Sequence, residues 1–256
     1  MASSPTDLPP DFFAAHDDER LAFRVLGEGR PLILIHGLFS NAWTNWIRYG
    51  HAARIAAAGF RVIMPDLRGH GSSAAPHDPA RWPPDILAAD GEALVAHLGL
   101  TEYDLAGYSL GGRTVMRMIA RGARPRRAAL GGMGLQGILH TAGRGGFFRK
   151  VLEGIGTHAR GSPEWMAEAF LKTTGGDAQA LLPLLNTFVD TPPETLAAIN
   201  LPVLVVAGSD DHDNGSAEAL AQALPQGRYR AIPGNHMSAV LHRELGGEIA
   251  DFMGEP

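Results

Sequence analysis

Apolar residues in this chain gather in short unbroken runs rather than in strict alternation with polar ones. Leu32-Ile33-Leu34-Ile35 follows the turn-prone Gly27-Glu28-Gly29-Arg30-Pro31, and Arg61-Val62-Ile63-Met64 stops at Pro65. Val203-Leu204-Val205-Val206-Ala207 is wholly apolar, largely β-branched, and bounded by Pro202 and Gly208. Runs of this length between Pro and Gly predict strands buried on both faces. Weaker runs predict further strands at 103–106, 128–131 and 228–232. The intervening stretches 43–58, 84–98, 113–120, 216–224 and 239–253 read as helices. Strands alternating with helices imply an α/β fold, a mostly parallel central sheet with helices on both faces.

That rhythm breaks between about 137 and 200. The segment offers no convincing strand, and helical pieces are expected at 147–155, 163–172, 177–189 and 193–199, separated by Gly and Pro. A helical cap or lid inserted into the sheet follows, dividing the chain into core residues 1–136, cap residues 137–200 and core residues 201–256. Phe147, Trp165, Phe170 and Phe188 from the cap, with Phe39 and Tyr108 from the core, are the expected lining of an apolar substrate pocket.

Composition narrows the function classes. At 256 residues and 45% hydrophobic, the chain can bury a core without a disulfide or metal. It has no cysteine, which excludes thiolate zinc sites and cysteine nucleophiles. A net charge of −5 with both signs interspersed argues against a dedicated nucleic-acid binder. Residues 1–20 lack the basic and apolar regions of a signal peptide, and no apolar run nears the roughly 18–20 residues that span a bilayer. The expectation is a cytoplasmic protein without membrane contact, metal or cofactor that acts on a small molecule. The sequence sets no oligomeric state.

Candidate chemistry begins at Gly107-Tyr108-Ser109-Leu110-Gly111-Gly112, between a predicted strand and a predicted helix. A serine on so sharp a turn is held with its hydroxyl outward, and the flanking glycines let the turn close. With 32 Gly in the chain, composition alone yields about 0.16 copies of Gly-x-Ser-x-Gly, so the surroundings must carry the argument. A serine nucleophile needs a base, an acid to orient it and donors for the oxyanion. Each is available at the end of a different predicted strand, where open α/β sheets build their sites. The His36-Gly37-Leu38-Phe39 turn can point the Leu38 N–H into the site, with the Leu110 N–H as second donor. Gly208-Ser209-Asp210-Asp211 follows the strand at 203–207 and offers Asp211 as the acid, with Asp210 as the alternative. Gly234-Asn235-His236 follows the last strand and offers His236 as the base. The resulting order is Ser…Asp…His.

Together these pieces resemble the α/β-hydrolase fold family over about residues 20–253. The matching motifs are Leu-Ile-His-Gly at 34–37, Pro-Asp-Leu-Arg-Gly-His-Gly-Ser at 65–72, Gly-Tyr-Ser-Leu-Gly-Gly at 107–112, Gly-Ser-Asp-Asp at 208–211 and Gly-Asn-His at 234–236. The resemblance implies that Asp66, Arg68 and His70 fix a loop rather than catalyse. It also implies a serine esterase working through an acyl-enzyme on a small-molecule ester. Carbon–carbon bond hydrolysis and the pyruvate elimination of the menaquinone pathway are alternatives on the same fold, and a non-catalytic ligand receptor is a third. The elimination enzyme shares Gly-Tyr-Ser-Leu-Gly-Gly-Arg, but its polyanionic substrate calls for several cations. The cap offers only Arg144, Arg149, Lys150, Arg160 and Lys172. Arg113, Arg117 and Arg121 share one helical face and read as a solvated basic surface, with Arg113 beside the elbow. Gly132-Met133-Gly134-Leu135-Gln136-Gly137 mimics a dinucleotide fingerprint, yet a poor helix follows and position 157 is Thr where an acid is needed.

Overall fold

A computed structural model describes residues 8–141 and 145–255, so Arg144 lies outside the described residues. Its strands are β1 (Asp11–Ala14), β2 (Arg20–Leu26), β3 (Arg30–Ile35), β4 (Phe60–Pro65), β5 (Asp104–Tyr108), β6 (Ala128–Gly131), β7 (Val203–Gly208) and β8 (Gly227–Ile232). They form one sheet in the order β1-β2-β4-β3-β5-β6-β7-β8. β1 and β2 pair antiparallel, as do β2 and β4, while every pairing from β4 to β8 is parallel.

The helices are α1 (His51–Ala57), α2 (Ile86–His97), α3 (Leu110–Ala120), α4 (Leu135–Leu139), α5 (Gly145–Glu153), α6 (Pro163–Thr173), α7 (Ala178–Leu184), α8 (Pro193–Ala197), α9 (Ala217–Gln222), α10 (His236–Ala239) and α11 (Glu244–Gly254). Successive side chains of a strand point to opposite faces, and here both faces are covered. Ile33, Ile35, Leu105, Val203 and Val205 pack with Leu94 of α2, Val115 of α3 and Leu220 of α9. Leu32, Leu34, Ala106, Leu204 and Val206 pack with Ile55 of α1 and Ile249 and Phe252 of α11. That double burial is why these strands read as unbroken apolar runs.

Several boundaries differ from the sequence expectation. β1, at the sheet edge, and β2 beside it are additional, because Asp-Phe-Phe-Ala and Arg-Leu-Ala-Phe-Arg-Val-Leu are partly exposed and have no continuous apolar run. The helix expected at 43–58 is two pieces. A single wide turn at Trp43–Ile47 closes with the Arg48 N–H donating to the Trp43 carbonyl at 2.8 Å, and Gly50, at φ 79°, separates it from α1. The helix expected at 177–189 ends at Leu184, one residue after Pro183. The helix expected at 239–253 begins only at Glu244 as α11, and Ala239 instead closes the one-turn α10. Between β6 and β7 the described residues form helices but no strand, beginning with the one-turn α4 where the sequence suggested no helix.

A buried ion network ties the β1–β2 turn to the sheet. Arg68 is fully buried and uses all five donors: Nε and Nη2 on Asp90, Nη1 and Nη2 on Asp17, and Nη1 again on the Arg81 carbonyl. The hydrogen bond and charge of Arg68 hold the Asp17 carboxyl down at about 2 against its partial burial. Arg68→Met strands a buried carboxylate, so it is expected to destabilise the fold by about 3–5 kcal/mol. A loss within 1 kcal/mol in urea unfolding would show that water replaces the guanidinium.

Candidate active site

β5 ends in the middle of the sheet, and the chain turns from Tyr108 into α3 within one residue. Ser109 occupies that corner at φ 53° and ψ −115°, a strained conformation for a non-glycine residue. Two glycines make the corner possible. A Cβ on Gly107 would lie 2.2 Å from the Gly111 carbonyl carbon, and one on Gly111 would lie 2.0 Å from the Ile35 carbonyl oxygen. The Ser109 N–H is fixed to the Gly131 carbonyl at 2.7 Å, which leaves the half-buried hydroxyl facing the loops at the strand ends.

Two of those loops bring in His236 and Asp211. The His236 Nε2 lies 2.9 Å from the Ser109 Oγ, and its Nδ1 lies 2.9 Å from the Asp211 Oδ2. With Nδ1 donating to Asp211, Nε2 is free to accept the serine proton. Asp211 is buried, and its other oxygen accepts the Asp213 N–H at 3.2 Å. Asp210 is exposed, with its N–H on the Gly234 carbonyl. Of the two candidate acids, the structure therefore brings only Asp211 to His236. Asp213 also lies close enough to share a cation with these two, but both nitrogens of His236 already face Asp211 and Ser109.

His236 is held from both sides. Asn235 caps α10 by accepting the Met237 and Ser238 N–H groups, and the Ser238 hydroxyl accepts the Asn235 N–H. Tyr108, expected only as pocket lining, donates its hydroxyl to the His236 carbonyl at 2.7 Å. Burial first, then the charges of Asp211 and Asp213, pushes the Tyr108 phenol up, so it stays a protonated donor. Asn214 gave no signal in the sequence, yet its side-chain amide donates to the Gly132 carbonyl and pins the acid loop to β6.

The loop after β3 is set by two buried histidines. The His36 Nε2 accepts the Leu67 N–H, and the His70 Nε2 accepts the Phe39 N–H at 3.3 Å. Their Nδ1 atoms lie on the Gly37 and Arg68 carbonyls, so both rings are neutral with Nδ1 protonated. Asn45 accepts the Gly37 N–H, and Phe39 is forced to φ 62°. Asp66 accepts from Ala42, Ser72 and Arg24, closing the same corner. Leu38 and Leu110 line one cavity with Ser109, and Leu110 is the first residue of α3, whose leading N–H groups have no acceptor within the helix.

Burial pushes the His36 and His70 imidazoles down, His70 to about 3, where the charge of His36 adds to the effect. An unfolded chain binds these protons near the ordinary value of 6.5 while the fold refuses them. Their contribution is therefore whole above pH 6.5 and is lost as pH falls, for His70 down to about 3, at about 1.4 kcal/mol per unit. His70→Asn should flatten the fall of urea-unfolding stability between pH 6.5 and 4.5. An unchanged slope would assign the acid sensitivity elsewhere.

Two cavities meet at Ser109. The larger, about 190 Å³, is lined by Tyr108, Phe170, His236, Met237 and Leu241 together with Thr44, Arg48 and Tyr49. The smaller, about 30 Å³, is lined by Leu110, Arg113, Phe148, Phe188 and Asn214. Tyr108 and Phe170 line the larger cavity and Phe188 the smaller. Phe39, Phe147 and Trp165 line neither of these two. Phe39 is buried edge-on to Phe148, Phe147 packs on Phe148, and Trp165 is 37% exposed on α6. The arginine face of α3 is not a free basic surface. Arg117 grips Asp85 with two hydrogen bonds, Arg121 grips Glu92, and Arg113 donates to the Gly137 carbonyl while stacking over Phe188 at 5.0 Å.

Residues 32–251 match the sequence profile described as "Alpha/beta hydrolase family". The chain belongs to that family. A non-heme haloperoxidase of Rhodococcus erythropolis is 28% identical, aligned over 87% of this chain and 91% of its own length. Bifunctional epoxide hydrolase 2 of Sus scrofa is 33% identical over 44% of this chain, a match that covers only 20% of that protein. A solved esterase from Rhodococcus sp. ECU1013 superposes with a TM-score of 0.70 at 25% identity, covering 96% of this chain and 98% of its own. Among the described residues, no helix is long and apolar enough to cross a membrane.

Proposed function

We propose that the protein is a serine hydrolase that cleaves small carboxylic esters. The observation that carries this reading is the continuous line Asp211–His236–Ser109, with both hydrogen bonds at 2.9 Å and the serine on a strained elbow. Ser109 Oγ attacks the ester carbonyl as its proton passes to His236 Nε2, and Asp211 stabilises the imidazolium that forms. The Leu38 and Leu110 N–H groups receive the oxyanion. His236 returns the proton to the leaving alkoxide, then takes one from water, whose hydroxide releases the acid and regenerates Ser109. Helices α5 to α8 act as the cap of this site.

Serine at 109 speaks against the carboxylate-nucleophile chemistry of epoxide opening. The pyruvate elimination loses support because Arg117, Arg121, Lys150 and Lys172 are committed to carboxylates. The haloperoxidase relative favours a second reading on the same acyl-enzyme. Hydrogen peroxide in place of water would release a peroxy acid able to oxidise halide. Wild-type protein is expected to hydrolyse p-nitrophenyl esters and to be labelled on Ser109 by a fluorophosphonate. Absence of both would end the hydrolase reading, and bromination of a dione dependent on peroxide and acetate would establish the second.

A further inference from the structure

The two cavities at Ser109 are chemically unequal, and the path of the proton decides which part of the substrate enters each. This inference rests on the ester-hydrolase reading. After accepting the Ser109 proton, His236 must hand it to the leaving oxygen. The alcohol half of the ester therefore lies against the wall that carries His236. That wall belongs to the larger cavity, where Met237 of α10 and Val240 and Leu241 just after it line one side with Phe170 of α6. Met237 and Leu241 are exposed large apolar side chains at 54% and 47%, so this cavity opens outward and offers apolar surface to a bulky group. The smaller cavity has no His236 in its lining but includes Leu110, the second proposed oxyanion donor. The acyl half lies there.

The dimensions then set a substrate class. A single water fills about 10–15 Å³ in this measure, so the 30 Å³ on the acyl side holds only about two heavy atoms beyond the carbonyl, against 190 Å³ on the alcohol side. Phe188 closes the acyl side. Its ring is stacked under the Arg113 guanidinium, and Arg113 is tied to the Gly137 carbonyl, so the ring is braced against rotation. Behind it lies another void of about 20 Å³, which shares Phe188, Leu110 and Arg113 with the acyl cavity. Phe188, with Leu110 and Arg113, thus forms the wall the two share. We infer that the enzyme takes esters of short acids, acetyl to propionyl, with large apolar alcohols, and that Phe188 is the residue that sets the acyl limit.

The test holds one half of the ester constant while the other grows. Across p-nitrophenyl acetate, butyrate, hexanoate and octanoate, kcat/KM is expected to fall at least tenfold by hexanoate. Across methyl, benzyl and naphthylmethyl acetates it is expected to hold or rise. Phe188→Ala joins the two voids and should raise the hexanoate-to-acetate ratio of kcat/KM at least tenfold. Phe148→Ala provides a second opening of the same cavity should Phe188→Ala fold poorly, judged by thermal unfolding. Leu241→Trp should lower the naphthylmethyl-to-methyl acetate ratio of kcat/KM. Faster turnover of octanoate than acetate by the wild type, or no gain on hexanoate in either folded alanine variant, overturns the assignment of the halves. Neither result touches the hydrolase reading while Ser109 is still labelled by a fluorophosphonate. No turnover of any ester and no labelling overturn both.

Discussion

Ser109→Ala is expected to lower kcat for p-nitrophenyl acetate by about 10⁵-fold, with KM nearly unchanged and the fold intact. The serine side chain makes no structural hydrogen bond beyond His236, since its backbone N–H holds the elbow through the Gly131 carbonyl. Alanine should therefore fit the strained corner almost as well, and the loss falls on chemistry. His236→Ala should lose a similar amount, and the double variant should lose little more than either single one. Groups acting on one proton path are strongly non-additive, and the residual rate comes from oxyanion donors and binding. Independent, multiplying losses in the double variant would mean that the two residues do not act on one proton.

The second large effect separates two adjacent carboxylates. Asp211→Asn is expected to reduce kcat by about 10⁴-fold, because an amide beside Nδ1 favours the wrong imidazole tautomer and cannot balance the imidazolium. Asp210→Asn, one residue away, is expected to stay within threefold, since that side chain is exposed and its backbone N–H makes the loop contact. The contrast is a local control, as both changes remove the same charge from one loop. Equal losses would point to a loop-wide electrostatic effect rather than to a hydrogen bond at 2.9 Å. Near-wild-type activity of Asp211→Asn would remove the acid from the mechanism.

Much of the sheet was legible in the chain because its central strands are buried on both faces and leave unmistakable apolar runs at 32–35, 61–64 and 203–207. β1, at the sheet edge, and its neighbour β2 left no such mark. Each shows water or loop to part of its surface, so polar residues such as Arg20 and Arg24 interrupt the run. Helix interruptions at Gly50 and after Ala239 were equally hidden, since the apolar spacing continues across each break. The ion pairs of Arg117 and Arg121 were hidden for a different reason. Asp85 and Glu92 stand 32 and 29 residues away, on or beside another helix.

The sequence by itself determined the family, the central strands of a mostly parallel sheet and the placing of Ser109, the Asp210-Asp211 pair and His236 after separate strands. Those properties follow from local constraints: double burial, glycine where backbones touch, and loops that must emerge at one edge of a parallel sheet. Only the tertiary structure decided which of Asp210 and Asp211 reaches His236, because adjacent residues in a loop point apart and chain order does not say which way. It also decided the lining of the two cavities, which draws on Thr44, Met237 and Leu241 and passes over Phe147 and Trp165. Whether an aromatic on a short helix faces a void or a neighbouring ring depends on how that helix is laid over the sheet. That orientation is fixed by contacts between residues far apart in the chain.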